Sequence, residues 1–169
     1  MKRTVLVLLA VIFLTAILYV PVRLPTWTSE DDIREAVFRY QFRHNYSGLQ
    51  SDAKAYYLAI RDGWASPSGS SGDWRDPAPW FMKRFGGNRP VVRSVSECTA
   101  DPGRGVRDKR TDERGLVFVV GRITFISETE AEVEGGYYEG GVSASGIRYR
   151  VVKRNDRWVV TGDKLVWIS

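Results

Sequence analysis

The chain is poor in the residues that most often build reactive centres. Of 169 residues one is cysteine and one is histidine, so no internal disulfide can form. No metal site can be assembled without recruiting carboxylates, and no ligand spacing suggests one. No nucleotide-binding glycine loop, G-x-S-x-G elbow or H-E-x-x-H motif is present, so the sequence implies no cofactor. Clustered positive charge is missing too. The formal charge is +5, but Lys2, Arg3 and Arg23 flank an apolar run, and the other 22 basic residues face 20 acids. Nucleic-acid binding needs a concentrated excess, and that class is set aside. Nine basic residues lie between Lys83 and Arg114 with five acids interleaved, which reads as a solvated loop, with contact to an acidic partner as the alternative.

Hydrophobic and aromatic residues are plentiful, 43% and 12%, with six tryptophans, which suits a packed domain. Residues 4–22, TVLVLLAVIFLTAILYVPV, hold nineteen positions without a charge. That length suits a bilayer span of about 20 residues better than the shorter apolar core of a cleaved signal. Lys2 and Arg3 before it favour a cytoplasmic N-terminus, so the folded part is expected outside the cytoplasm. The expected organisation is an anchor or uncleaved signal at 1–23, a linker at 24–28 and an α+β domain at 29–169. Secretion after cleavage is the alternative.

Within that domain Ser29 and the acids after it predict a helix running to about Asn45. Ile33, Ala36, Val37, Tyr40 and His44 share one face, and Phe38 and Phe42 lie nearly opposite, which predicts a helix sandwiched between two elements. Residues 54–60 read as a strand and 66–72 as a loop. A short helix is expected from Asp76-Pro77, carrying Trp80, Phe81 and Phe85. Residues 99–115 read as a long exposed loop. From Leu116 the chain reads as a four-strand antiparallel meander, with Asn155-Asp156 as a tight hairpin turn. Ala131 and Val133 alternate with Glu130, Glu132 and Glu134. Ile147, Tyr149 and Val151 alternate with Arg148 and Arg150, which predicts cross-strand ion pairs. Gly135-Gly136 and Gly140-Gly141, with Gly121 and Gly162, are expected to bend these strands around the helix.

Helix first, a short second helix, then long bent strands: this order resembles the nuclear-transport-factor-two-like, or cystatin-like, cone fold. The likeness is to uncharacterised bacterial members, membrane-anchored or secreted. It is carried by Gly115-Leu116-Val117-Phe118 with Gly121, by residues 134–139, and by Arg157-Trp158-Val159-Val160 with Trp167-Ile168-Ser169. The superfamily hosts enzymes, ligand binders and interaction modules, so fold alone does not supply function. Its enzymes, such as steroid isomerases and polyketide cyclases, place an acid/base pair deep in the cone. By that resemblance Tyr40, His44 and Tyr138 are the candidate catalytic residues, and Tyr137 and Glu139 the candidate ligand-binding residues. Each also has a plain structural reading, as packing aromatics, a helix-end cap or a surface carboxylate. Trp64, Trp74 and Trp80 are candidate partner contacts or core. Cys98 reads as a small buried hydrophobe or an interchain thiol. The leading expectation is a membrane-tethered module that binds a protein partner or forms a homodimer through its sheet. The alternative is a ligand-binding or acid/base pocket inside the cone.

Overall fold

A computed structural model describes residues 29–48, 50–62 and 73–169. The expected span at 4–22, the loop at 66–72 and Trp64 lie outside the described residues. Among the described residues no helix is long and apolar enough to cross a membrane.

The fold is α+β and mostly strand. Helix α1, Ser29–Gln41, opens it with three acids in its first turn, where they suit the helix dipole. Arg34 pairs with Glu30 at 2.8 Å and Arg39 with Glu35 at 2.8 Å. Ile33, Val37, Phe38 and Gln41 are its buried residues. The helix stops four residues short of the expected Asn45, because the Asn45 side-chain amide donates to the Gln41 carbonyl at 2.7 Å and turns the chain. Phe38 meets Phe81 and Phe85, each at 6.2 Å between ring centres, so α1 is sandwiched as its two apolar faces predict. Arg84 ties the two layers, donating to Asp32 at 2.8 Å and Glu35 at 2.7 Å.

Those phenylalanines belong to helix α2, Pro79–Met82, and the single 3-10 turn after it, Lys83–Phe85. The expected start at Asp76 is corrected. Ala78 precedes Pro79 and is held extended at φ −57°, ψ 144°, because a proline ring disfavours helical backbone in the residue before it. Asp76 instead accepts the Ser96 N–H at 2.8 Å.

The strands are β1 Ala55–Ile60, β2 Val91–Ser94, β3 Cys98–Asp101, β4 Gly105–Asp108, β5 Gly115–Ser127, β6 Glu130–Gly140, β7 Ser143–Arg154 and β8 Arg157–Ile168. Six form one sheet in the order β2-β1-β5-β6-β7-β8, and β3 pairs with β4 separately. The four-strand meander β5–β8 is as expected, and Asn155 and Asp156 make its last turn at φ 49° and 58°. The sheet is mixed rather than wholly antiparallel, since β1 runs parallel to both β2 and β5. Long excursions before β2 and β5 give the chain room for such crossovers. Residues 99–115 are not the expected exposed loop either. They hold most of the β3–β4 hairpin, whose Val106 and Asp108 are buried.

The core has two parts, one on each face of the sheet. On the inner face α1 and α2 cover Leu58, Phe118, Val133, Ile147, Tyr149 and Trp158. On the outer face the β3–β4 hairpin covers Tyr57, Val117, Val119, Tyr138 and Ala144. The predicted alternation holds, with Ala131, Val133, Ile147, Tyr149 and Val151 buried. The ion pairs also form, Arg150 to Glu130 at 2.6 Å and Arg148 to Glu132 at 4.0 Å.

Register shifts interrupt β5 between Val120 and Ile123, β6 between Tyr138 and Gly140, and the β7–β8 pairing at Gly146/Ile147 and Arg150/Val151. Gly121, Gly140 and Gly162 lie at or beside these bulges. Gly135-Gly136 behave differently, staying in register with both neighbours. A Cβ on Gly136 would stand 1.9 Å from the Ser145 carbonyl oxygen, whereas one on Gly162 would meet nothing within 4 Å. Gly136→Ala should therefore lose about 1–3 kcal/mol or more through overpacking, and Gly162→Ala should stay within about 0.5 kcal/mol of the parent. Urea denaturation of the two variants checks the contrast.

Candidate functional site

The buried polar group that organises the inner face is Gln41, 1% exposed at the end of α1. Its two Nε2 hydrogens are shared among three acceptors, the Val119 carbonyl at 3.0 Å, the Tyr149 hydroxyl at 3.2 Å and the Gly136 carbonyl at 3.3 Å. Two carbonyl oxygens fix the amide's orientation, because a flipped Oε1 would face them both. Gly135 makes the space: a Cβ there would lie 2.6 Å from the Val119 oxygen and 3.0 Å from Gln41 Nε2. The first glycine pair thus admits a helix side chain to the sheet backbone. The second receives the outer hairpin, whose Pro102 carbonyl accepts the Gly141 N–H at 3.0 Å. At that hairpin's tip Gly105 takes φ +74°, and a Cβ there would lie 2.7 Å from the Glu139 carbonyl oxygen. Sequence reasoning passed over Gln41. Its signal was positional: it follows Ile33 and Val37 at successive steps of four, the spacing of a buried stripe.

On the outer face Asp108 plays a comparable part. Its Oδ2 accepts from the Tyr57 hydroxyl at 2.6 Å and Arg93 at 2.6 Å. Its Oδ1 accepts the N–H groups of Arg110 at 2.8 Å and Thr111 at 3.1 Å. The Tyr57 hydrogen bond, then these backbone donors, hold the carboxyl down at about 2. Burial, then the hydrogen bond to Asp108, pushes the Tyr57 hydroxyl above its ordinary range. With both oxygens engaged, this carboxylate joins the hairpin to β1 and has no free lone pair aimed at a reacting group.

The residues singled out from sequence fall in separate places. Tyr40 and His44 are adjacent, their rings 4.6 Å apart, and Tyr40 lies edge-on to Tyr149 at 5.9 Å. Burial, and secondarily Asp163, raises the Tyr40 hydroxyl. His44 is exposed in the turn after α1 rather than on the helix. Tyr137 faces the inner core, while Tyr138 faces the outer one and packs edge-on to Trp74 at 5.6 Å. Successive strand residues point to opposite faces, so Tyr40, His44 and Tyr138 do not share one pocket. Glu139 is half-buried, not simply exposed beside a turn. Its Oε2 accepts hydroxyl hydrogens from Ser47 at 2.6 Å and Ser143 at 3.0 Å. Trp74 and Trp80 are half-buried and pack against the two cores. Cys98 is buried, as its small-hydrophobe reading expects, and burial pushes its thiol up to about 12, which removes thiolate reactivity at neutral pH.

Two open grooves lie elsewhere. One, about 440 Å³, is bordered by Trp74, Asp76, Cys98 and Lys109. The other, about 470 Å³, is bordered by Glu35, Arg39, Arg157 and Trp158. Neither contains Tyr40, His44 or Tyr138. Among the described residues no cluster of three or more His, Cys, Asp or Glu side chains stands close enough to hold a metal. No family model matches the chain, and neither a curated protein nor a solved structure shows detectable similarity to it.

Two pH experiments test the buried polar groups. The folded Asp108 sits at about 2, below an unfolded value of about 3.9. The stability it contributes is therefore present above about 3.9 and lost as pH falls toward 2. Asp108→Asn should be less stable at neutral pH and lack this part of the acid dependence, read from urea midpoints across pH 2–6. Gln41→Glu should behave oppositely. Facing carbonyl oxygens in the core, the new carboxyl is held protonated, above its unfolded value of about 4.3, so the variant should lose stability as pH rises from about 4 to 8.

Proposed function

We propose that this protein is a membrane-tethered, extracytoplasmic interaction module rather than an enzyme, built on a cone-like fold of the nuclear-transport-factor-two-like kind. The register shifts in β5, β6 and β8 support the cone, since bulges add bend and twist to a sheet. The tether would be residues 4–22, with the domain on the far side of the membrane from Lys2 and Arg3.

One contrast carries the functional reading. The space between α1 and the sheet is filled by Ile33, Val37, Phe38, Gln41, Phe118 and Tyr149, each at most 1% exposed. The end of the last strand, by contrast, is apolar and open: Leu165, Val166 and Ile168 are 36%, 41% and 56% exposed. A ligand pocket is concave with convergent polar groups, whereas apolar side chains grouped on an open strand suit contact with another chain. The contact surface is then β8, not the tryptophans Trp74 and Trp80.

Chemical cross-linking in native membranes tests this. A Leu165→Ser, Ile168→Ser double variant should lose the cross-linked species of the parent while its melting temperature moves by no more than a few degrees, as expected of surface changes. The domain should resist carbonate extraction and be open to protease added from outside. Loss of phenotype in His44→Ala with cross-linking intact would contradict the reading.

A further inference from the structure

Among the described residues strand β8 pairs with β7 on one side and with no strand on the other. An open edge displays unpaired N–H and C=O groups that template another strand unless charge or bulges restrict them. β8 carries two such bulges, at Thr161 and Val166, and between them the stretch 162–165 pairs regularly with β7; there charge sets the selection. Across the outer face one row runs in register from Glu134 on β6 to Arg148 on β7 to Lys164 on β8. Arg122 of β5 closes its inner end, 2.7 Å from Glu134. In the next row Glu132 stands opposite Arg150, and Arg150 opposite Gly162. The acids are on β6, and β7 directs Arg150 to Glu130 and Arg148 to Glu132. Lys164 is left beside a like charge, with no carboxylate partner in the described structure. Like charges directly opposite destabilise a sheet, and a carboxylate on the open side of Lys164 would relieve that. On the inner face Leu165 and Ile168 stand opposite Ile147 and Ser145 and call for apolar neighbours.

A second copy of the chain cannot meet this demand by pairing β8 with β8. Directly opposed residues share a face. The charges β8 carries on the outer face are Arg157 and Lys164, opposite Arg154 and Arg148, while Asp163 stands opposite Tyr149 on the inner face. Self-pairing therefore brings no carboxylate to Lys164.

We propose that β8 is the docking edge for an extended strand of an acidic partner protein, with carboxylates alternating with apolar side chains so that the acids meet Lys164 and the apolar residues meet Leu165 and Ile168. This rests on the interaction-module reading above and names the chemistry of its partner. Main-chain pairing supplies affinity in such strand addition, and side chains supply selection.

The test uses the purified full chain in detergent micelles and three labelled synthetic peptides of equal length, alternating valine with glutamate, glutamine or lysine. Fluorescence anisotropy reads binding, and backbone hydrogen exchange reads where. The valine–glutamate peptide should bind about fivefold tighter than the glutamine one, the scale of one exposed ion pair. That advantage should shrink as salt rises to about 0.5 M, and bound peptide should slow exchange in β8. Lys164→Glu should reverse the order in favour of the lysine peptide. Equal protection of β8 by the glutamate and glutamine peptides, or an order unchanged by Lys164→Glu, overturns the charge selection and leaves the interaction module standing. A chain that sediments as a dimer dispersed by Leu165→Ser, with β8 ignoring all three peptides, overturns it in favour of a second copy. If no peptide protects β8 and cross-linking survives the double serine variant, this proposal and the module reading both fall.

Discussion

One side-chain amide sets how the helix meets the sheet. Gln41 sits in an apolar core, where an unpaired amide would cost several kcal/mol; its two Nε2 hydrogens are shared among two strand carbonyls and a tyrosine hydroxyl, while its Oε1 is buried without a partner among the described residues. The contact exists because Gly135 has no side chain to occupy the same place. Apolar packing of Ile33, Val37 and Phe38 would tolerate some sliding of α1, since hydrophobic burial is not directional. A hydrogen-bonded amide does not, and the position of α1 along β5 and β6 follows from it.

The outer face uses the same principle with a charge in place of an amide. Asp108 gathers a hydroxyl, a guanidinium and two backbone N–H groups, and thereby fastens the β3–β4 hairpin over Tyr57 and Val117. Each face thus has an apolar area and one polar anchor that places its cover. The covers do not extend across the whole sheet. Beyond the bulge at Gly121 the outer face carries ion pairs and meets solvent, and β8 remains an open edge with apolar residues toward its end. The interaction reading grows from that asymmetry: a filled interior gives little space for chemistry, and an unfinished edge offers a place for another chain.

Much of this was legible in the residues. The meander, its Asn155-Asp156 turn, the burial of Val133, Tyr149 and Val151, and the double-sided helix all follow from local periodicity, which reports a strand or helix whatever surrounds it. What stayed hidden depends on contacts distant in sequence. The β3–β4 hairpin looked like a loop because its strands are four residues each and richly charged; only the pairing of Asp108 with Tyr57 and Arg93 makes burial of that segment tolerable. The parallel pairing of β1 leaves no mark in its own composition. Glycine positions in the meander read as bends, which suits Gly121 and Gly140, but Gly135 and Gly136 serve two close approaches, of Gln41 to Gly135 and of the Ser145 carbonyl on β7 to Gly136. The resemblance groups Tyr138 with Tyr40 and His44, but it does not say which face of β6 Tyr138 takes, and the structure puts Tyr138 on the outer one.

The most direct measurement of this account is side-chain amide exchange by nuclear magnetic resonance, followed at the Gln41 Nε2 group in the full chain. Hydrogens held by Val119 and Gly136 deep between helix and sheet should exchange many-fold more slowly than those of a free glutamine, and should show close contacts to the Tyr149 ring. Exchange at the rate of a solvent-exposed amide, with no contact to Tyr149, would mean that the helix is not anchored there and that the interior is open.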